Sequence, residues 1–314
     1  MAIVIISGAP DQKSANVAID AESSASRKAR EPEPCDRAPF VGKRIASRRL
    51  WLLLPALFLY GLLMGVPFFF ILRLSLSDGL EHYRDVLASP VLGRVVENTL
   101  VISAATTLVT LVLAYIYAAA LWRAGPLLRS LLFGLVLLPF WTGVLVKNFA
   151  WAALLQDNGA VNDLLRGLGL VEGRLSLLHN RLAVIIGMVH YVLPYAVFPI
   201  YAAMIAIDRQ LERAARSLGA PIRKVIWHVT IPLSLPGVYA AALLVFIIST
   251  GFFITPIILG SPGDMMMANM VDFYAHQIVD FDGAAALSVL VILVVSVLVF
   301  VYQRLPKEGQ YGSV

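Results

Sequence analysis

Residues 208–234 read Asp208-Arg-Gln-Leu-Glu-Arg-Ala-Ala-Arg-Ser-Leu-Gly-Ala-Pro-Ile-Arg-Lys-Val-Ile-Trp-His-Val-Thr-Ile-Pro-Leu-Ser234. The stretch carries five basic and two acidic residues, and the runs on either side, 182–207 and 235–260, carry none. A helix of about 20 apolar residues crosses the hydrocarbon core of a bilayer. The stretch is therefore a polar loop between two crossings. Asp208 is placed to cap a short helix starting near Arg209. Ala215 and Gly219 share a helical face, with Ala214 beside them, and side chains this small let another surface approach the backbone. Gly219 permits a sharp turn, and Pro221 suits the first turn of a second helix. That helix sets Ile222, Val225, Ile226 and Val229 in an apolar stripe, with Arg223 and Lys224 on the other side. Pro232 is expected to end it, and Pro236 to open the next span.

Working outward, six apolar runs are long enough to cross: about 51–72, 99–121, 130–155, 182–207, 235–260 and 283–303. Of the 45 Asp, Glu, Lys and Arg residues, only Lys147 falls inside one of them. A backbone in lipid must satisfy its own hydrogen bonds, which a helix does within one segment. The short alternating strands of a barrel are absent from the sequence. The pattern predicts an all-α transmembrane protein, a six-helix polytopic bundle. Composition agrees: of 314 residues 59% are hydrophobic and 14% charged, with mean hydropathy +0.79. An average soluble domain is roughly 25% charged. An ordinary cytosolic enzyme and a disordered protein are excluded, and the single cysteine, Cys35, excludes a disulfide-stapled domain.

Basic residues set the orientation. With the N-terminus inside, 18 of the 25 Lys and Arg fall on the inner side. The loop 261–282 has no basic residue and carries Asp264, Asp272, Asp280 and Asp282. Both termini are expected in the cytoplasm, and the positive balance reports topology rather than nucleic-acid binding. Eleven acids fall outside: Asp78, Glu81, Asp85, Glu97, Asp157, Asp163, Glu172 and the four just named. They read as a solvated surface, or as groups that attract a cationic substrate or dock a binding protein. Residues 1–47 read as a disordered cytoplasmic tail without a secretory signal, residues 48–306 as the membrane domain, and 307–314 as a cytoplasmic C-terminal tail.

The order of elements in 208–234 resembles the cytoplasmic signature loop of ABC-importer permeases, the EAA loop. That family's pattern is Glu-Ala-Ala, three residues, Gly, nine residues, an aliphatic, one residue, Leu-Pro. Ala214, Ala215, Gly219, Val229, Ile231 and Pro232 stand in those positions. Arg213 stands where the family often has Glu, with Glu212 just before it, and Ile231 replaces Leu. The stretch from Pro139-Phe-Trp-Thr-Gly-Val-Leu-Val-Lys-Asn to Asn158 is similar to the third span of spermidine/putrescine permeases, as is Asn158-Gly-Ala-Val-Asn162. The likeness covers about 50–305 and implies a type I importer permease in the bacterial inner membrane. It further implies two separate ATPase subunits and a second permease, giving a heterodimer. A periplasmic binding protein would deliver the solute, of which a polyamine is favoured.

The resemblance places the short helix in a groove of the ATPase. Glu212, Arg213, Arg216 and Arg223 would make polar contacts there, while Ala214, Ala215 and Gly219 allow close approach and Pro232 closes the loop. The sequence contains no Gly-x-x-x-x-Gly-Lys-Ser/Thr phosphate loop. ATP hydrolysis is thus expected on another chain, and no cofactor or metal is expected on this one. Candidates for the translocation path are Lys147, Trp151, His190, Tyr191 and Tyr195. Lys147 reads either as a snorkelling lysine near the outer interface, about 25 Å along a helix from Ser130, or as a pore-lining or partner-contacting charge. His190 reads as a buried histidine with one interhelical hydrogen bond or as a path residue. Trp141 and Trp151 read as interface anchors or stacking surfaces. The competing class is an ATP-independent secondary transporter or channel, which usually needs intramembrane ionisable groups or broken helices. A membrane-embedded enzyme lacks any recognisable catalytic motif here.

Overall fold

A computed structural model describes residues 42–304. The chain divides into two units at Met64/Gly65. Helix α1, Gly42–Ser75, begins in the first and ends in the second. It takes in residues 42–47, the last six of the expected tail; the rest of that tail, Cys35 included, and the C-terminal tail lie outside the described residues. In the second unit follow α2 (Glu81–Ala88), α3 (Leu92–Arg123), α4 (Pro126–Leu137), α5 (Val144–Leu155), α6 (Ala160–Gly167), α7 (Arg181–Ile205), α8 (Arg209–Ser217), α9 (Ile222–Val225), α10 (Ile231–Thr250), α11 (Ile254–Leu259), α12 (Met267–Phe273) and α13 (Phe281–Arg304). No strand occurs among the described residues. Four helices are long and apolar enough to cross a membrane, Leu54–Ser75, Leu92–Arg123, Arg181–Ile205 and Ile222–Thr250. The pair Pro126–Trp141 and Val144–Gly167 makes a fifth if it is taken as one span, and Phe281–Val297 is a shorter apolar helix.

The core of the second unit lies where α3, α7 and α10 pack together. Ile102, Ala114, Ala118 and Leu121 of α3 are buried against Val184, Met188, Val192, Ala196, Ile200 and Met204 of α7 and Ala241 and Val245 of α10. Lipid tails are as apolar as leucine, so membrane helices associate through close packing of small side chains rather than through water exclusion. Gly237 of α10 serves that purpose. A Cβ there would lie 2.5 Å from the Ala203 Cβ and 2.6 Å from the Pro199 carbonyl oxygen. Gly187 of α7 likewise receives the Leu259 side chain.

Three departures from the sequence reading have local causes. The run 130–155 is not one rod: it breaks at Thr142–Gly143, where both residues are extended, and its halves meet at 100°. Pro139 lacks an amide hydrogen, and its carbonyl accepts from the Thr142 hydroxyl at 3.0 Å, so the chain leaves the helix there. The 25 Å estimate for Lys147 therefore fails. Pro232 does not end the helix after Pro221. A π-helical turn, Ile226–Thr230, with the Ile231 amide donating to the Ile226 carbonyl, makes room for the proline ring and carries one helix from Ile222 to Thr250. That helix stops at Gly251, so 235–260 is divided too, and the Asn269 side chain donates to the freed Phe253 carbonyl at 2.8 Å.

Asp264, expected in a solvated acidic surface, is 7% exposed. Its carboxylate accepts from Arg181 at 3.4 Å and from the Ser261 amide at 3.2 Å. Arg181 also donates to Asn98 Oδ1 at 2.6 Å, and Asn98 donates to the Gly263 and Met265 carbonyls. This clamp pins the 261–265 turn to α3 and α7. Asp78 and Asp272 are likewise paired, with His82 and His276. Asp264→Ala should lower the midpoint of thermal unfolding in detergent, at a cost of about 1–3 kcal/mol for the lost bonds to charged groups. An unchanged midpoint would show that the turn is held without the carboxylate.

Candidate functional site

The loop 208–230 is a built structure rather than a flexible link. Asp208 caps α8 by accepting from the Gln210 amide at 2.8 Å. At the other end Gly219 takes φ +84°. The Gly219 amide donates to the Arg216 carbonyl at 2.9 Å and the Ala220 amide to the Ala215 carbonyl at 3.1 Å. This pair of bonds is the Schellman motif, in which a left-handed residue satisfies the last helical carbonyls, and glycine takes that conformation without a Cβ penalty. The sequence reading of Gly219 as a turn residue has this basis. Pro221 flanks α9 instead of entering it.

One bond closes the loop on itself, one fixes it to the end of α3, and a second arginine from α4 meets that same end. Glu212 accepts from the Thr230 hydroxyl at 2.8 Å, tying α8 to the π-helical turn. One Glu212 oxygen is therefore engaged inside the loop, a contact that the sequence reading, which gave Glu212 to a partner, did not include. Arg209 donates to the Trp122 carbonyl at 2.8 Å and lies 5.4 Å over the Trp122 ring. Arg129 donates to the Leu121 carbonyl at 3.2 Å and the Ala124 carbonyl at 3.0 Å. Two arginines thus meet the negative end of α3, where cations are favoured. Arg209 and Trp122 were not singled out in the sequence; a cation directly after a capping aspartate and a tryptophan at the end of a span were the available signals. Arg209→Ala should weaken the hold of α8 by about 1–3 kcal/mol, seen as faster hydrogen exchange across 209–217. Exchange as slow as in the wild type would remove Arg209 from this role.

The outward surface of the loop is mixed. Arg213, Ala214, Arg216, Gly219, Arg223 and Pro232 are exposed, and Ala215 is half-buried. Leu218 is 89% exposed, and Leu211, Ile222 and Trp227 are exposed with it. Among the described residues, its two chain neighbours aside, no atom comes within 4 Å of a Cβ built at Gly219. The face thus combines bare backbone, apolar side chains and arginines.

The five path candidates come together as one cluster between α5 and α7. Trp151 donates to His190 Nδ1 at 3.1 Å. Indole nitrogen is a donor only, so His190 Nδ1 is the acceptor of this bond. Lys147 Nζ sits 4.9 Å from the Tyr191 ring centroid, a cation–π contact. Tyr191 and Tyr195 stack at 5.9 Å, Phe252 meets Tyr191 edge-on at 4.9 Å, and Phe140 lies 5.0 Å from Tyr195. Lys147, Tyr191 and Tyr195 line a cavity of about 240 Å³ together with the Pro139–Val144 break. Trp141, by contrast, stands 90% exposed and apart from the cluster. Among the described residues no group of three or more His, Cys, Asp and Glu side chains could hold a metal ion.

Residues 40–307 match the family described as "Binding-protein-dependent transport system inner membrane component". The chain is 32% identical over 230 residues to the spermidine/putrescine transport system permease protein PotB of Haemophilus influenzae, covering 73% of this chain and 79% of that one. The PotB of Escherichia coli strain K12 is 31% identical over 225 residues, 72% of this chain and 82% of that one. The molybdenum transport system permease protein ModB of Mycobacterium bovis is 33% identical over 199 residues, 63% of this chain and 73% of that one. In fold the chain resembles a subunit in the crystal structure of a bacterial alginate ABC transporter in complex with alginate pentasaccharide-bound periplasmic protein. The TM-score is 0.70 at 20% identity, covering 84% of this chain and 96% of that one. With a family match running through the packed helices and the capped loop alike, this chain belongs to the inner membrane components of binding-protein-dependent transport systems, and is an ABC importer permease.

Proposed function

We propose that this permease pairs with a second, different permease to form the pore of an importer for a polyamine such as putrescine or spermidine. Two separate ATPase subunits drive it, and a periplasmic binding protein delivers the solute. Both termini face the cytoplasm, and the chain itself carries no catalytic residue. Residues 48–306 are the membrane domain and 208–234 its coupling loop.

The observation that carries the coupling role is the α8 face: a helix capped at both ends, fixed to α3 through Arg209, with bare backbone at Gly219 beside exposed Leu218. A groove in an ATPase would close on Ala214, Ala215 and Gly219, while Arg213, Arg216 and Arg223 meet its polar rim and Pro232 lies where the loop re-enters the bundle. Because Arg209 ties α8 to the end of α3, movement of the ATPases would be transmitted to the spans. Lys147, Trp151, His190, Tyr191 and Tyr195 form part of the path wall. The polyamine reading is supported by the names of the PotB relatives, aligned over more than 70% of this chain.

Titration of the partner binding protein with putrescine and spermidine in a calorimeter checks the cargo. The reading predicts saturable binding of one of them; heats seen only with another solute class would replace it. Copurification of the full complex from a strain expressing this chain with its partners checks the assembly, with two different permeases and two ATPases expected per complex.

A further inference from the structure

The cavity beside Lys147 has a chemical character that a polyamine site would not need. Pro139, Phe140, Gly143, Lys147, Tyr191 and Tyr195 are among the residues lining it. One is a cation and no wall residue is an acid. Among the described residues no carboxylate lies within 4 Å of the Lys147 ammonium. A charge within a membrane segment is costly alone and is almost always paired or hydrated. The Tyr191 ring face offsets part of that cost, but a ring supplies no counter-charge.

A second positive feature points the same way. Helix α5 is 12 residues long and begins at this cavity, and its cap position is Gly143, with no side chain to accept from the first amides. Those amides have no partners within the helix, and the helix dipole adds positive potential there. Lys147 therefore stands in the first turns, where a carboxylate would ordinarily be favoured and a cation is not. The only hydroxyl at the break, that of Thr142, is directed to the Pro139 carbonyl. The site thus has donors and positive charge from two sources, aromatic walls, and no acceptor charge of its own.

We propose that this cavity is a carboxylate-binding site whose cation is Lys147, with the α5 N-terminus as its second donor. The carboxylate comes from one of two sources: an Asp or Glu side chain of the second permease, or the cargo itself, which would then be an amino-carboxylate rather than a bare polyamine. The proposal rests on the two-permease importer reading. A water-soluble carbodiimide joins a lysine amine directly to a carboxylate in contact with it. Applied to the wild-type complex without cargo and read by peptide mass spectrometry, it should link Lys147 to an acidic residue of the second permease if that is the source. In proteoliposomes holding the full complex and binding protein, uptake of putrescine and of 4-aminobutyrate is compared for wild type, Lys147→Arg and Lys147→Gln. If the cargo supplies the carboxylate, Lys147→Gln should lower the ratio of 4-aminobutyrate to putrescine uptake roughly tenfold or more, the scale of one lost hydrogen bond to a charged group, and Lys147→Arg should retain it. Either the cross-link or the ratio change supports the site and names its source. The absence of both, in a complex that takes up solute with ATP, overturns it. The cross-link is read on the unaltered chain, so a variant that fails to assemble does not protect the proposal. A wild-type complex without ATP-driven uptake would instead count against the importer reading.

Discussion

Gly219→Asp is expected to leave ATP hydrolysis by the assembled complex running while uptake falls by about 100-fold, the equivalent of about 2.8 kcal/mol of lost coupling. The fold of this chain should survive. Gly219 has φ +84°, which aspartate tolerates better than most residues, and among the described residues a Cβ there meets no atom within 4 Å beyond its chain neighbours. The conformational cost is thus about 1–2 kcal/mol. Any further loss is assigned to a partner surface that approaches the bare backbone beside Ala215. The measurement is paired: phosphate release and solute uptake from one preparation, with copurification of the ATPases as the check on assembly. Normal uptake by an assembled Gly219→Asp complex would end the assignment of 208–234 as the coupling loop.

Gly237→Leu should have the other large effect, on assembly instead of coupling. The contacts that a side chain would meet at 237 are the Pro199 carbonyl at 2.6 Å and the Ile200 Cα at 3.1 Å as well as the Ala203 methyl. Backbone atoms of α7 cannot swing aside as a side chain can. Overpacking in a filled interior costs about 1–3 kcal/mol where side chains can move, and a leucine against backbone exceeds that. The variant should fail to accumulate in the membrane, whereas Gly134→Ala, where a Cβ meets nothing within 4 Å, should accumulate like the wild type. Fluorescence-detected size exclusion of tagged chains separates the two outcomes. Equal, monodisperse amounts of Gly237→Leu and wild type would mean that α7 and α10 do not pack as described.

The helical class and the family were legible because they depend on local signals. An uncharged run must be helical in lipid, and the spacing from Ala214 to Pro232 survives in one dimension. The capping roles of Asp208 and Gly219 were legible for the same reason, since each bonds within two to four residues of itself. The rest depended on partners far along the chain. Asp264 reads as one acid among eleven until Arg181 and Asn98 are brought to it. The bond between Glu212 and Thr230, 18 residues apart, is not visible until the fold places them side by side. Hydropathy counts apolar atoms without regard to direction, so it registered 130–155 as one span across a 100° break. Pro232 misled: it was read as a helix end, but the wider turn before it absorbs the ring. The clustering of Lys147, Trp151 and Tyr191 needed the α5–α7 packing, although each residue was recognisable as unusual for its position.

The central claim is that this chain is half of a pore whose motor lies on other chains. It is tested most directly by solute uptake into proteoliposomes containing this permease, its partner permease and the binding protein, with and without the ATPase subunits and ATP. The account predicts uptake only when ATPases, ATP and binding protein are all present, and no response to an imposed proton or sodium gradient. Gradient-driven uptake in vesicles lacking the ATPases would contradict it.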